Sequence, residues 1–194
     1  MKKLLSLGGL LLALAAANFA SAVPISGKVY FNSTGATVDT GNLATANAYT
    51  GFDPVFVSTG LSSPTGDYFG LGGVAVTFNT FNFATPVVPF TLWTIISGGL
   101  KYTFEASSVT ITEQNVNFLN LKGNGLAKIT DLLDNDVGYD ATSGTWTITN
   151  TGQGGQVFTF GATTAVPDGG TTAALMGLGL VAVGMIARRR RAIA

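Results

Sequence analysis

Cysteine and histidine are both absent from the 194 residues. The first absence excludes disulfides, thiol nucleophiles and thiolate metal sites. The second removes Ser-His-Asp triads, histidine acid–base catalysis and the usual zinc ligand sets. Arginine is missing from residues 23–165, where four lysines (Lys28, Lys101, Lys122, Lys128) stand against seven aspartates and two glutamates, a net charge of −5. Such a stretch lacks the clustered cations that neutralise phosphates, so nucleic acid is not an expected partner. A domain of this size buries enough core to fold without disulfides. The Ala/Glu/Lys/Arg mixture that favours helices is scarce there too.

What residues 23–165 do contain is Thr, Val, Phe, Gly and Asn in alternating runs. Val74, Val76 and Phe78 share one face, as do Tyr102 and Phe104, Val109 and Ile111, Trp146 and Ile148, and Phe158 and Phe160. Turn clusters separate the runs: residues 62–67, Ser97-Gly98-Gly99, Gly123-Asn124-Gly125, Thr142-Ser143-Gly144 and residues 152–155. Short strands between turn signals predict an all-β fold, an antiparallel β-sandwich with jelly-roll-like connections. Residues 44–48 and 128–133 are the two weak helix candidates, one turn each at most. Residues 34–73 are the least regular and are expected to form long loops.

Both ends of the chain differ from this middle. Met1-Lys2-Lys3 and the apolar residues 4–17 form the n- and h-regions of a signal peptide. Ala20-Ser21-Ala22 supplies the small-x-small cleavage pattern, so residues 1–22 are expected to be removed by signal peptidase and the mature chain to begin at Val23. At the other end stand Val166-Pro167-Asp168-Gly169-Gly170, then residues 171–187 without a charge, then Arg188, Arg189, Arg190 and Arg191. Seventeen helical residues cover roughly 25 Å, short but workable for one transmembrane helix. The four arginines orient it with the C-terminus in the cytoplasm. The mean hydropathy of +0.40 is inflated by these two ends.

The motif, helix and arginine cluster in this order resemble the PEP-CTERM sorting signal of Gram-negative bacteria, in a VPDGG variant. Asp168-Gly169 stand where the name-giving form has Glu-Pro. The resemblance implies recognition by an exosortase-type membrane enzyme, transient anchoring in the inner membrane, and release to the cell surface or extracellular matrix. It divides the chain into a signal peptide (1–22), an ectodomain (23–165) and a sorting tail (166–194). Gly138-Tyr139-Asp140 and Ser143-Gly144-Thr145-Trp146, within residues 117–162, look like a hairpin found in the C-terminal half of many PEP-CTERM ectodomains. That likeness implies a β-sandwich and brings no functional residues with it.

Three further groups bear on chemistry. Glu105 and Glu113 are the only glutamates; alternation puts Glu105 opposite Phe104, and Glu113 ends its strand. Both read as solvent-facing rather than as a glycosidase pair, so no catalytic residue is expected and the chain is not read as an enzyme. Asp134, Asp136 and Asp140, with Gly138, have spacing that could present oxygens to Ca²⁺, yet they miss the EF-hand pattern, and a solvated turn between two strands is the favoured reading. The glycines at 70–73 and 152–155 precede no helix and therefore read as turns, not phosphate cradles. Trp93 and Trp146 belong in the core. Tyr49, Phe52, Tyr68 and Phe69 are the candidates for exposed aromatics, and Asn32-Ser33-Thr34 is a sequon by pattern alone. The expected function is an exported surface or matrix protein with a structural or interaction role, with exopolysaccharide as a candidate partner. A carbohydrate-binding module, with Ca²⁺ as an optional cofactor, is the alternative, and a carboxylate-based hydrolase a distant third.

Overall fold

The structure is a computed structural model that describes residues 22–151 and the backbone of 158–164. It is all-β. The strands are β1 (Val23–Pro24), β2 (Gly27–Ser33), β3 (Ala36–Val38), β4 (Ala48–Phe52), β5 (Val55–Val57), β6 (Ala75–Phe78) and β7 (Phe81–Asn82). They continue as β8 (Phe90–Ser97), β9 (Leu100–Ala106), β10 (Thr110–Gln114), β11 (Phe118–Asp131), β12 (Tyr139–Asp140), β13 (Thr142–Thr151) and β14 (Phe158–Thr164). Three single 3₁₀ turns occur at Leu43–Thr45, Gly60–Ser62 and Gly66–Tyr68. Among the described residues no helix is long and apolar enough to cross a membrane; residues 171–187 lie outside them.

The large sheet runs β11-β13-β14-β2-β5-β6-β8-β9, and β9 then pairs with β11, so the ring of hydrogen bonds closes. Every pairing around that ring is antiparallel. Eight strands enclose a space that side chains can fill. Alternation supplies them: Val29 and Phe31 of β2, Trp93 and Ile95 of β8, Phe104 of β9, Leu119 and Leu121 of β11, and Trp146 and Ile148 of β13 are all buried. Trp93 anchors this core, stacked on Phe104 (centroids 5.9 Å apart, 15° between planes) and meeting Phe31 edge-on at 5.1 Å. A second sheet, β3-β4-β7, packs on it through Phe81, whose ring lies 6.3 Å from Trp146.

The strand β11 is where closure happens, and here the structure corrects the sequence. Gly123-Asn124-Gly125 is not a turn but the middle of a continuous strand. Upstream, residues 119–122 pair with β10; downstream, residues 125–131 pair with β9 on the same side. The link from β9 to β10 crosses over the handover point. There the Asn124 carbonyl accepts from Ser107 N at 2.9 Å and from the Trp146 indole nitrogen at 3.2 Å, and Asn124 N donates to Ser108 Oγ at 2.9 Å. A Cβ on Gly123 would overlap the Ser108 carbonyl oxygen and sit 2.6 Å from the indole nitrogen. A Cβ on Gly125 would overlap the Phe104 ring. These glycines admit close approach rather than reverse the chain.

Other expectations divide. Ser97-Gly98-Gly99 is the β8–β9 hairpin, with φ of 60° and 78° at its glycines, the geometry of a type I′ turn. Thr142-Ser143-Gly144, expected as a turn, opens β13. Residues 128–131 are strand rather than helix, and Leu132 and Leu133 are exposed, so no apolar face would repay helix nucleation. The first helix candidate is reduced to the Leu43–Thr45 turn, capped by Asn42 Oδ1 on Ala44 N at 2.9 Å. The irregular stretch 34–73 holds three short strands. Ile111, paired with Val109 by alternation, is exposed on β10.

Candidate functional site

The first residue of the expected mature chain and the last described residue before the motif lie toward one end of the closed sheet. The strand β14 sits between β13 and β2 and ends with Thr164 opposite Gly144 and Gly27. Residues 23–25 bond to β12 and the start of β13: Val23 N donates to the Gly138 carbonyl at 2.9 Å, and Ile25 N to Thr142 Oγ1 at 2.8 Å. Val23, the expected mature N-terminus, and Thr164, two residues before Val166, therefore lie toward the same end of the sheet. Of the expected cleavage-site residues, Ala22 is described and Ala20 is not. The motif residues Val166, Pro167, Asp168, Gly169 and Gly170, and Arg188, Arg189, Arg190 and Arg191, lie outside the described residues.

The acidic stretch forms a turn built around Asp131. Its carboxylate accepts from Leu133 N and Asn135 N, both at 2.8 Å, and from the Asn135 amide at 2.8 Å. Asp134 takes up a left-handed φ of 66° and pairs with Lys101 at 2.7 Å. Asp136 accepts from Gly138 N at 2.7 Å. Among the described residues no three His, Cys, Asp or Glu side chains converge as a metal-holding group, and Asp134, Asp136 and Asp140 are not gathered into one. The Asn135 side-chain amide, followed by its backbone N–H, holds the Asp131 carboxyl below the ordinary value of 3.8. A depressed folded-state pKa gives stability that is present above 3.8 and lost as pH falls through the folded value. Asp131→Asn should therefore melt below wild type at neutral pH, with the difference closing in acid. Melting curves on both sides of that window check this.

The remaining candidates are placed as follows. Glu105 points outward and pairs with Lys128 at 2.7 Å; Glu113 accepts from the side chains of Asn115 at 2.9 Å and Asn120 at 2.7 Å. Trp93 and Trp146 are in the core, as expected. Tyr49 and Tyr68, expected to be exposed, are buried to 1%. Their short elements place them against other rings, Tyr49 on Phe81 and Phe83 and Tyr68 on Trp93. Burial pushes the Tyr49 hydroxyl well above the tyrosine range, with the Asn150 side chain opposing the shift. Phe52 is half-buried and packed against the core, and Phe69 is exposed as expected. Asn32 of the sequon accepts from the Ser58 hydroxyl.

Sequence reasoning missed the outer face of β8, β9 and β11. There the outward positions of the same alternation that fills the core carry Thr94, Thr103 and Lys128 in one row and Lys101 and Thr130 in the next. They line a cleft of about 620 Å³, which shares Asn79 and Thr91 with a neighbouring cleft of about 480 Å³. The signal was present in the sequence as the polar half of each alternating run, but the partner strands were not.

Residues 165–191 match the family model described as the VPDSG-CTERM motif, a PEP-CTERM-like sorting signal. The match covers the tail alone, and Gly169 stands where that motif's name has Ser. Comparison with curated proteins and with solved structures gives no match.

Proposed function

We propose that this is an exported protein, cut by signal peptidase after Ala22 and held transiently in the inner membrane by residues 171–187 with its C-terminus in the cytoplasm. An exosortase-type enzyme then processes it at residues 166–170, and the ectodomain serves a structural or interaction role at the cell surface or in an exopolysaccharide matrix. The carrying observation is the match of residues 165–191 to a sorting motif. The emergence of Val23 and Thr164 at one end of the sheet supports it, since one membrane can then hold both ends without distorting the fold. The VPDGG form of the motif is part of this proposal, as is the absence of enzymatic activity. We read the closed sheet as flattened into sandwich-like layers. Phe31 of β2 and Trp93 of β8 are three interstrand spacings apart around the wall, roughly 14 Å, yet their rings meet at 5.1 Å. Calcium at Asp134, Asp136 and Asp140 is the lesser reading, because Asp134 and Asp136 already have protein partners.

A tail read by an enzyme needs its motif, whereas a plain anchor needs only apolar length and flanking positive charge. Pro167 keeps Val166 out of helical geometry, and Gly169 and Gly170 let an extended backbone enter a narrow active site. Pro167→Ala with Asp168→Ala should therefore make the unprocessed form accumulate in the membrane, with the signal peptide still removed. Intact mass and a membrane-versus-medium immunoblot check it. Release of the double variant at the wild-type level would leave only an anchor.

A further inference from the structure

From the joined clefts on the outer face, we infer a binding site for a neutral, hydroxyl-rich polysaccharide chain. This goes beyond the sorting proposal and is independent of the tail. The floor runs from Asn79, just after β6, across β8 and β9 to β11. That spans three interstrand spacings, roughly 14 Å, enough for several units of a chain. Along it the hydroxyls of Thr91, Thr94, Thr103 and Thr130 make no hydrogen bond to another protein group among the described residues. Thr142, by contrast, both accepts from Ile25 N and donates to the Asp140 carbonyl, each at 2.8 Å.

Two amides complete the set, and their backbone partners fix their orientation. Asn79 donates through Nδ2 to the Thr91 carbonyl at 2.8 Å, which turns Oδ1 outward as an acceptor. Asn82 accepts at Oδ1 from Thr85 N at 2.7 Å, leaving Nδ2 as a donor in the adjoining cleft. Hydroxyls that both give and accept, an amide acceptor and an amide donor suit a ligand whose own groups do both. The half-buried Phe90 ring, stacked on Phe81 with centroids 5.0 Å apart, offers an apolar face beside them.

Electrostatics narrows the ligand further. The four charges are two closed pairs, Lys101 with Asp134 and Lys128 with Glu105, each at 2.7 Å. The lining is therefore balanced and offers an anionic or cationic chain no net attraction. Backbone pairing of an added peptide strand is disfavoured, because β8 and β9 are bonded to strands on both sides along the cleft. Beyond Ala127 the other side of β11 is met by the turn at Asn135 and Asp136, through the Thr130–Asp136 bridge and Asp131 N donating to the Asn135 carbonyl at 3.1 Å.

The test is calorimetric titration of the purified full chain, in a zwitterionic detergent without a sugar headgroup. The probes are cellohexaose, maltohexaose and chitohexaose, with an alginate hexamer as anionic control. At least one neutral hexasaccharide should bind and the alginate should not. Thr94→Val with Thr103→Val removes two hydroxyls at nearly constant shape and should weaken binding about tenfold, a loss of ~1.4 kcal/mol. Thr94→Ser with Thr103→Ser should restore it, which separates lost hydroxyls from a disturbed fold, and Phe90→Leu should weaken it independently. Failure of all three neutral probes, equal binding of alginate, or wild-type affinity in the valine variant with an unchanged near-ultraviolet spectrum would each overturn the inference.

Discussion

Gly123→Ala should cost about 3 kcal/mol or more, a large part of the stability of an ordinary domain. The added methyl would overlap the Ser108 carbonyl oxygen and crowd the Trp146 indole nitrogen at 2.6 Å. Neither neighbour yields cheaply. The Ser108 carbonyl belongs to the link between β9 and β10, which Ser107 N and Asn124 N tie down from either side. The indole is buried to 1% in the core. Relief would require β11 to move away from that link, and β11 is the strand at which β9 and β13 meet to close the sheet. Gly125→Ala, meeting the Phe104 ring, should behave in the same way. Gly98→Asn is the control: Gly98 has a φ of 60° with open space where a Cβ would go, and asparagine tolerates that conformation. Urea denaturation of the three variants should show the first two far below wild type and the third close to it.

The second large effect is at Trp93. Trp93→Ala should cost about 3–5 kcal/mol, as expected for a large aromatic truncated in a core that cannot fully collapse. The side chain is wholly buried and touches rings from three different elements: Phe31 of β2, Tyr68 of the Gly66–Tyr68 turn and Phe104 of β9. Each of those rings would lose a neighbour while held in place by its own backbone pairing. Trp93→Phe should lose less, since a ring remains to fill most of the volume. Phe69→Ala, at a side chain 84% exposed, should lie within about 0.5 kcal/mol of wild type. Thermal melts of the three variants rank these effects.

Where period two ran over several residues, strand and facing were both legible: Tyr102 with Phe104 and Trp146 with Ile148 point inward as alternation requires. The errors share one physical origin, which is that they depended on distant partners. Gly-Asn-Gly is ordinary turn chemistry until a carbonyl from residue 108 is laid across it. Tyr68 and Phe69 are adjacent in an irregular stretch, and nothing local says which enters the core. The single turn at Gly66–Tyr68 decides it, docked at the start of β2 by Ser26 N, just before that strand, to Asp67 at 2.7 Å and by Thr65 N to the Lys28 carbonyl at 2.9 Å. The outer cleft was hidden for the same reason, because its rows exist only once β8, β9 and β11 are in register.

The pairing of Thr164 with Gly27 has a topological consequence. Directly opposed residues on antiparallel strands have Cα atoms about 5 Å apart, so a few residues would join β14 to β2 with no strain on either. The order of strands around the ring is then cyclic in sequence as well as in space, and the fold has no inherent starting strand. A chain opened at the Gly98-Gly99 hairpin and joined across residues 164 and 27 would keep every ladder of the closed sheet. The fold itself therefore does not depend on where the ends of this domain fall.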